Sequence, residues 1–302
     1  MKYIIGGGLA GLLAAHAWPS AQILEASPQP LAAHRALLRF RSDSVSRLTG
    51  IEFRRVRVNK AIWLDGAYSA PSIRACNLYS RKILSGGFLT GDRSIWDISP
   101  VDRFIAPESL YEQLLEAIGG RISWGTTADF ESLPFPVVNT APLPTVLSEL
   151  NIPTGDCNFH RAPIYVRRWR IPRCDLFQTI YYPNIDSPIY RASMTKDLLI
   201  VEMTQPSCSI YQFEEIGHSF GISLDNAEEL PSAEQKYGKI LPIDDATRKA
   251  FLFRLTHDHG MYSLGRFATW RNILLDDVVN DIAVIKKLSR IGAAYDLRAA
   301  AQ

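Results

Sequence analysis

The sequence predicts an α/β protein: a discontinuous parallel-sheet domain closed by the two ends of the chain, with a mixed or antiparallel β-sheet domain inserted between its parts. Three observations carry this. Lys2–Glu25 reads as strand, glycine turn, helix and second strand; residues 164–203 hold four strand-like runs with no helix between them; and residues 276–288 return to helical spacing.

The chain has 302 residues, 47% of them hydrophobic, enough for one large or two medium domains around a substantial core. Its 33 basic and 31 acidic side chains leave a net charge of +2, so no overall field selects nucleic acid or membrane, and any such property must be local. Cys76, Cys157, Cys174 and Cys208 lie far apart, with no Cys-x-x-Cys pair and no histidine spacing that would close a tetrahedral site. They read as core or incidental thiols of a reducing compartment, and no metal is expected. The apolar run after Lys2 up to Trp18 imitates a secretory signal, but a strand, a turn and a helix explain the same residues. No run reaches the roughly 20 apolar residues of a membrane span. A cytoplasmic protein is expected, in the host cytoplasm if the chain is viral.

The first element is a buried-strand pattern, Lys2-Tyr3-Ile4-Ile5, followed by Gly6-Gly7-Gly8-Leu9-Ala10-Gly11 and then the helix-forming Leu12, Leu13, Ala14, Ala15 and Ala17. Gly6 suits a tight turn, Gly8 the close approach of backbone to a pyrophosphate, and Gly11 the contact of helix with strand, while the helix N-terminus offers free N–H groups to an anion. The second strand, Ala21–Glu25, ends in an acid 19 positions after Gly6, the spacing of a carboxylate that holds a ribose hydroxyl. Leu9, Ala10, Glu25 and Ala26 therefore join the three glycines as candidate dinucleotide contacts. Glu25 would repel a 2′-phosphate, which leaves FAD or NAD.

The C-terminal segment Tyr262–Val279 resembles the FAD-binding signature of the UDP-galactopyranose mutase and amine-oxidase-like flavoproteins. Gly265, Arg266, Thr269, Arg271, Asp276 and Val278 fall on its positions without a gap, and Leu275 stands where the signature has methionine. The resemblance implies that Gly265-Arg266 approach the FAD diphosphate. It also implies that the next helix, opening at Leu275, Asp276 and Asp277 and running through Val278, Ile282, Ile285 and Leu288, aims its N-terminus at the flavin pyrimidine and ribityl oxygens. Pro136–Leu143 resembles the strand and Thr-x-Pro crossing by which this family reaches the isoalloxazine, placing Thr140 and Pro142 there; by itself the segment also fits an ordinary strand and proline turn. These segments span the chain from end to end, which favours FAD over NAD.

The expected architecture is thus a Rossmann-like FAD-binding domain of residues 1–38, 102–147 and 236–302, with a mixed or antiparallel substrate domain of residues 39–101 and 148–235. A helix is expected from Ala106-Pro107-Glu108 to Ile118, stopped by Gly119-Gly120, and strands at Ile164–Ile171, Phe177–Tyr182, Ile189–Met194 and Leu198–Met203. No second glycine fingerprint is present for a nicotinamide cofactor, so electrons would enter from the substrate or a diffusible donor.

The mutase signature carries a tyrosine and an aspartate that face the nucleotide sugar; here those positions are Asn272 and Leu274. This departure points from ring mutation toward oxidation of an amine or amino-acid-like substrate. A nucleotide-sugar mutase-like enzyme and a non-catalytic flavin- or nucleotide-binding platform stay as alternatives. Lys60, in the strand-like Val56–Leu64 stretch, is the candidate flavin-proximal lysine, although an edge-strand surface lysine fits as well. Tyr190-Arg191, in a segment resembling the family's Phe/Tyr-Tyr-Arg strand, is the candidate active-site pair.

Positive charge is segregated. Residues 34–60 hold a local balance of +6, and residues 161–173, interleaved with Tyr165 and Trp169, hold +5. Arg39 is assigned to the FAD diphosphate; the arginine-rich segments 35–60 and 161–173 make DNA the candidate macromolecular partner. The stretches His34–Arg41 and Gly265–Arg271, with the compact length, resemble the short FAD proteins encoded by bacterial viruses beside DNA-base hypermodification enzymes. That resemblance implies a lyase-type FAD enzyme acting on an amino acid attached to the thymine methyl carbon, such as α-glycyl-thymidine. His257-Asp258-His259 has no nearby third ligand and reads as a loop.

Overall fold

The computed structural model describes residues 1–30, 39–84, 94–130, 132–172 and 174–299, except the side chains of residues 84, 236, 237 and 292–299. The first half of the chain runs β1 (Tyr3–Ile5), α1 (Leu9–Ala17), β2 (Gln22–Glu25), β3 (Arg39–Phe40), α2 (Ser44–Thr49), β4 (Arg54–Leu64), β5 (Ala67–Ser69), α3 (Ile73–Leu84), β6 (Val101–Ile105), α4 (Leu110–Ile118), β7 (Ile122–Trp124), β8 (Val137–Asn139) and α5 (Leu143–Glu149). It continues with β9 (Arg161–Arg170), β10 (Phe177–Tyr181), β11 (Ile189–Thr195), β12 (Leu198–Met203), α6 (Ile210–Phe220), β13 (Glu228–Ile240), α7 (Asp245–His259), β14 (Met261–Ser263) and α8 (Leu275–Ala299).

Two sheets organise these elements. The smaller has five strands in the order β14-β8-β1-β2-β7, every pairing parallel. Both faces of such a sheet must be covered, because its strands are apolar throughout. On one side α1 packs against α2, α4 and α8, burying Leu12, Leu13, Val45, Leu110, Leu114, Val278 and Ile282. On the other lie Leu143 and Val146 of α5, Leu255 of α7 and the fully buried Trp270. Helix α1 is buried nearly all round, which its run of leucine and alanine permits.

The larger sheet has nine strands, with β13-β9-β12-β11-β10-β4-β6-β3 as its path and β5 paired to β4. It is antiparallel except where β10 runs parallel to β4. Helix α6 covers one face, with Phe213 against Trp169 at 4.6 Å between ring centroids, and α3 lies over the other, its Tyr79 against Tyr181 and Tyr190. Ser209 and Gln212 close a reciprocal cap at the start of α6.

The four expected strands in residues 164–203 and the helix ending at Ile118 are present, and the strands form the expected mixed sheet. Several segments join the other sheet from the one expected. Strand β6 and the part of β13 beyond residue 236, grouped by sequence with the nucleotide domain, extend the nine-stranded sheet. Helix α2, grouped with the substrate domain, packs on α1 and α8 through Val45. Strand β13 tolerates Pro231 and Gly238 because it is an edge strand, with register shifts at both places. His257–His259 form the last turn of α7 rather than a loop, with His257 bonded to Asp258 and stacked on Phe253. Val278, Ile282 and Ile285 of α8 are buried as expected, whereas Leu288 is 46% exposed, because the core ends one turn earlier.

Lys82 ties α3 to the β10–β11 connection. Its ammonium donates to the carbonyls of Tyr182 (2.8 Å), Asn184 (2.7 Å) and Ile189. Burial lowers its pKa to about 7, against the opposing pull of Glu215 and Asp186. Between that value and the ordinary lysine value near 10.4 the unfolded chain holds a proton that the folded one has released, so stability rises with pH across the window. Urea unfolding at pH 7, 8.5 and 10 should show wild type gaining on Lys82→Met as pH rises; a constant difference would refute the shifted titration.

Candidate functional site

The motifs read from the two ends and the middle of the chain meet at the C-terminal ends of β14, β8, β1 and β2, where open parallel sheets bind ligands. Gly11 begins the approach: a Cβ there would stand 1.9 Å from the Gly6 carbonyl oxygen, so only hydrogen lets α1 lie on the strand end. Thr140 follows β8 and donates from both its N–H (2.8 Å) and its hydroxyl (2.7 Å) to the Ile5 carbonyl. Pro142 then opens α5, whose Leu143 N–H donates to Phe267 (3.0 Å) in the Gly-Arg segment. Leu264 N–H donates to Asn139 (2.8 Å), and Gly265, at φ +91°, would place a Cβ 2.8 Å from that of Ala10. The Gly-Arg turn therefore touches the opening glycine bend.

The cradle fits a dinucleotide. A Cβ on Gly8 would meet nothing within 4 Å, Leu9 and Ala10 are partly accessible, and Ala26 is exposed. Glu25, at the tip of β2, is oriented by N–H donors from Gly7 and from Ser27 (2.8 Å). It stands where a ribose would be recognised.

Other assigned contacts sit differently. The Asp276 carboxylate, 5% exposed, accepts from the N–H groups of Arg41 (3.1 Å) and Ser42 (2.9 Å) and from the Ser42 hydroxyl (2.7 Å). Its role in the structure is to fasten the segment after β3 to the start of α8, next to the partly buried Leu275. Arg266 donates to the Gly238 carbonyl in β13 (3.1 Å) and to Asn272 Oδ1 (3.4 Å), linking the turn to the larger sheet. Arg39, expected at the diphosphate, directs its hydrogen bonds to the larger sheet: to Thr179 Oγ1 (2.8 Å), Met194 O (2.6 Å) and Thr195 Oγ1 (2.8 Å) on β10 and β11. Its place on β3, paired with β6 in the larger sheet, sets this direction.

That face carries the remaining chemistry. Tyr181, Arg191 and Glu202 are register partners across β10, β11 and β12. Arg191 holds Glu202 through Nε and Nη2, the latter at 2.7 Å, and the Tyr190 hydroxyl donates to Glu202 at 3.1 Å. Burial disfavours the charge on Glu202, but the Arg191 guanidinium, Lys239 and the Tyr190 bond outweigh it and hold the carboxyl below its ordinary range. Burial raises Tyr181 and, further, Tyr190, so both remain phenols. Tyr190 is 0% exposed and supports Glu202, whereas Arg191 keeps 30% of its side chain accessible and presents it on the sheet face. Burial, then the charge of Arg191, lowers Arg39 to about 9. Lys60 pairs with Thr179 in register but turns its ammonium to the Asp97 carbonyl (3.1 Å) in an exposed contact.

Glu202, Tyr181 and Lys239 were not singled out from sequence. An acid inside Leu198–Met203, a strand with every residue buried, was the available signal, since such an acid needs a buried partner. The partner's identity depends on strand register. In the arginine-rich segments, Arg41, Arg47, Arg55 and Arg57 pair with aspartates, and Arg167, Arg168 and Arg170 with glutamates or Asp197. Arg35 and Arg173 lie outside the described residues. A depression of about 430 Å³ at the start of α6, lined by Asp186, Thr204, Cys208 and Gln212 among others, shares no residue with this site. Among the described residues no helix is long and apolar enough to cross a membrane, and no three His, Cys, Asp or Glu side chains cluster as a metal would need.

The solved structures supply a likeness at this point. The chain shares the fold of a reduced UDP-galactopyranose mutase. The two superpose with a TM-score of 0.61 at 13% identity, covering 96% of this chain and 94% of that one. An oxidoreductase from Methanosarcina mazei gives a TM-score of 0.52 at 9% identity, over 95% of this chain and 100% of that one. No family model matches the sequence, and no curated protein does. The likeness is one of fold.

Two variants test the geometry. Gly11→Ala should abolish flavin uptake, measured by absorbance after reconstitution with FAD, since α1 must leave the strand end to accommodate the methyl group. Glu202→Gln leaves Arg191 without its counter-ion and should cost about 3–5 kcal/mol at neutral pH. Because the folded carboxyl lies below its unfolded value near 4.3, the wild-type advantage is present above that pH and fades as pH falls through the folded value. Denaturant unfolding at pH 7 and pH 3.5 reads both effects.

Proposed function

We propose that the protein binds FAD across the ends of β1, β8 and β14 and oxidises a C–N bond in an amine or amino-acid-like substrate held against the Tyr181–Arg191 face. The observation that carries this is the contact of Gly265 with Ala10, which joins the two ends of the chain around one nucleotide cradle. Bound FAD supplies a two-electron acceptor.

The chain's own groups then need to orient a neutral amine and exclude water more than to supply a strong acid or base. The partly buried Tyr181 and the Arg191–Glu202 pair, backed by the fully buried Tyr190, provide a fixed surface for this. Bound FAD would take up the hydrogen and electron pair from the substrate carbon next to nitrogen while the nitrogen proton passed to water; water adding to the resulting C=N carbon would then break the C–N bond to give an amine and a carbonyl compound. For a thymine carrying an N-linked glycyl group the products are the aminomethyl base and glyoxylate. An amino-acid-substituted thymine of this kind, such as α-glycyl-thymidine in viral DNA hypermodification, is the substrate that the sequence resemblance brings forward. Mutase chemistry is disfavoured, since Leu274 is 48% exposed and Asn272 is engaged by Arg266, with no acid or phenol at either position.

Reconstituted protein should be yellow, and its visible flavin bands should bleach anaerobically with an amine or amino-acid donor. A yellow protein inert to amines, amino acids and modified DNA would point to a binding platform instead, and one that takes up no FAD would remove the flavin reading. If DNA carries the substrate, duplex affinity should fall steeply between 50 and 200 mM salt. A flat response would remove DNA as the carrier.

A further inference from the structure

Arg39 is a partly buried cation whose own bonds do not neutralise it. Its three acceptors are two threonine hydroxyls and one carbonyl, all neutral, and its Nε is buried without an acceptor among the described residues. Glu202 is close enough to act on it electrostatically, but that carboxylate is already held by Arg191 and Tyr190. Arg191 and Arg103 add like charge. At neutral pH the guanidinium keeps its proton even so, and the unsatisfied N–H and the excess charge call for an anion.

Resting on the proposed amine-oxidising role, we infer that Arg39 is a specificity-determining residue that binds the carboxylate of the substrate, so that the substrate class is an amino acid or N-substituted amino acid rather than a simple amine. A monoanion matches a guanidinium whose acceptors among the described residues are all neutral. The FAD diphosphate belongs at the glycine bend, whereas Arg39 is fixed to β10 and β11 by bonds to Thr179, Met194 and Thr195. Thr179 lies two register pairs from Tyr181, and two residues of strand span roughly 7 Å. A carboxylate on Arg39 thus leaves the neighbouring C–N bond directed along the face toward Tyr181 and Arg191.

Benzoate and its neutral isostere benzamide are the probes, with inorganic phosphate as the competing anion. Calorimetry on protein with and without FAD reads binding directly, so failure of the flavin reading is distinguishable from failure of this site. Benzoate should bind at least tenfold more tightly than benzamide and perturb the visible flavin spectrum of the holoprotein. Arg39→Met should lose at least tenfold in benzoate affinity while retaining stoichiometric FAD. Thr195→Val, which removes one of the acceptors orienting Arg39, should lose severalfold and keeps the test open if Arg39→Met does not fold. Equal binding of the two probes, unchanged benzoate affinity in the variants, tighter binding of phosphate than of benzoate, or loss of FAD from Arg39→Met would each overturn the assignment.

Discussion

The contact between the glycine bend after β1 and the Gly265 turn after β14 is the constraint on which the architecture depends. These segments are separated by most of the sequence, yet a Cβ on Gly265 would stand 2.8 Å from that of Ala10. The contact requires β14 to reach the parallel sheet beside β8, and this in turn requires α7 to carry the chain back from β13. Apart from β7, β8 and the helices α2, α4 and α5 that serve the first sheet, the chain between β2 and α7 is free to build a second sheet, provided that it returns to the same end of the first.

The second sheet uses this freedom to bury charge. Strand β12 is buried at every residue, yet one row holds Arg191 and Glu202 across β11 and β12. A buried ion pair is a poor source of stability when compared with a well-packed apolar pair. Its value here is orientation: Glu202, fixed by Tyr190 as well, leaves Arg191 with one rigid direction on the face that Arg39 also occupies. Both arginines belong to the larger sheet, one on β3 and one on β11, and the face exists only when the strands between them are paired in register.

Charge segregation in the sequence has a similar resolution. Both arginine-rich stretches looked like unpaired positive surface, but the fold brings acids from elsewhere: Asp102 from β6 to Arg55 and Arg57, Glu229 from β13 to Arg167, and Glu108, before α4, to Arg168 and Arg170. A local count of charge along a chain omits such partners because strand neighbours are distant in sequence. Arg39 moved for the same reason. Its place in an arginine-rich stretch suggested the diphosphate, and its strand pairing placed it on the other sheet.

Features with short-range causes were legible in the residues. The strand–turn–helix at the N-terminal end, the helix stopped at Gly119, the four strands of residues 164–203 and the buried stripe of α8 follow from periodicity, capping and glycine sterics, each acting over a few residues. The glycines and Glu25 could be named for the same reason. The long edge strand β13, the placement of α2 and β6, and the partners of Arg39, Asp276 and Glu202 were decided only by tertiary structure. Each depends on which strand lies beside which, and register is a property of the whole sheet that no local window of sequence contains.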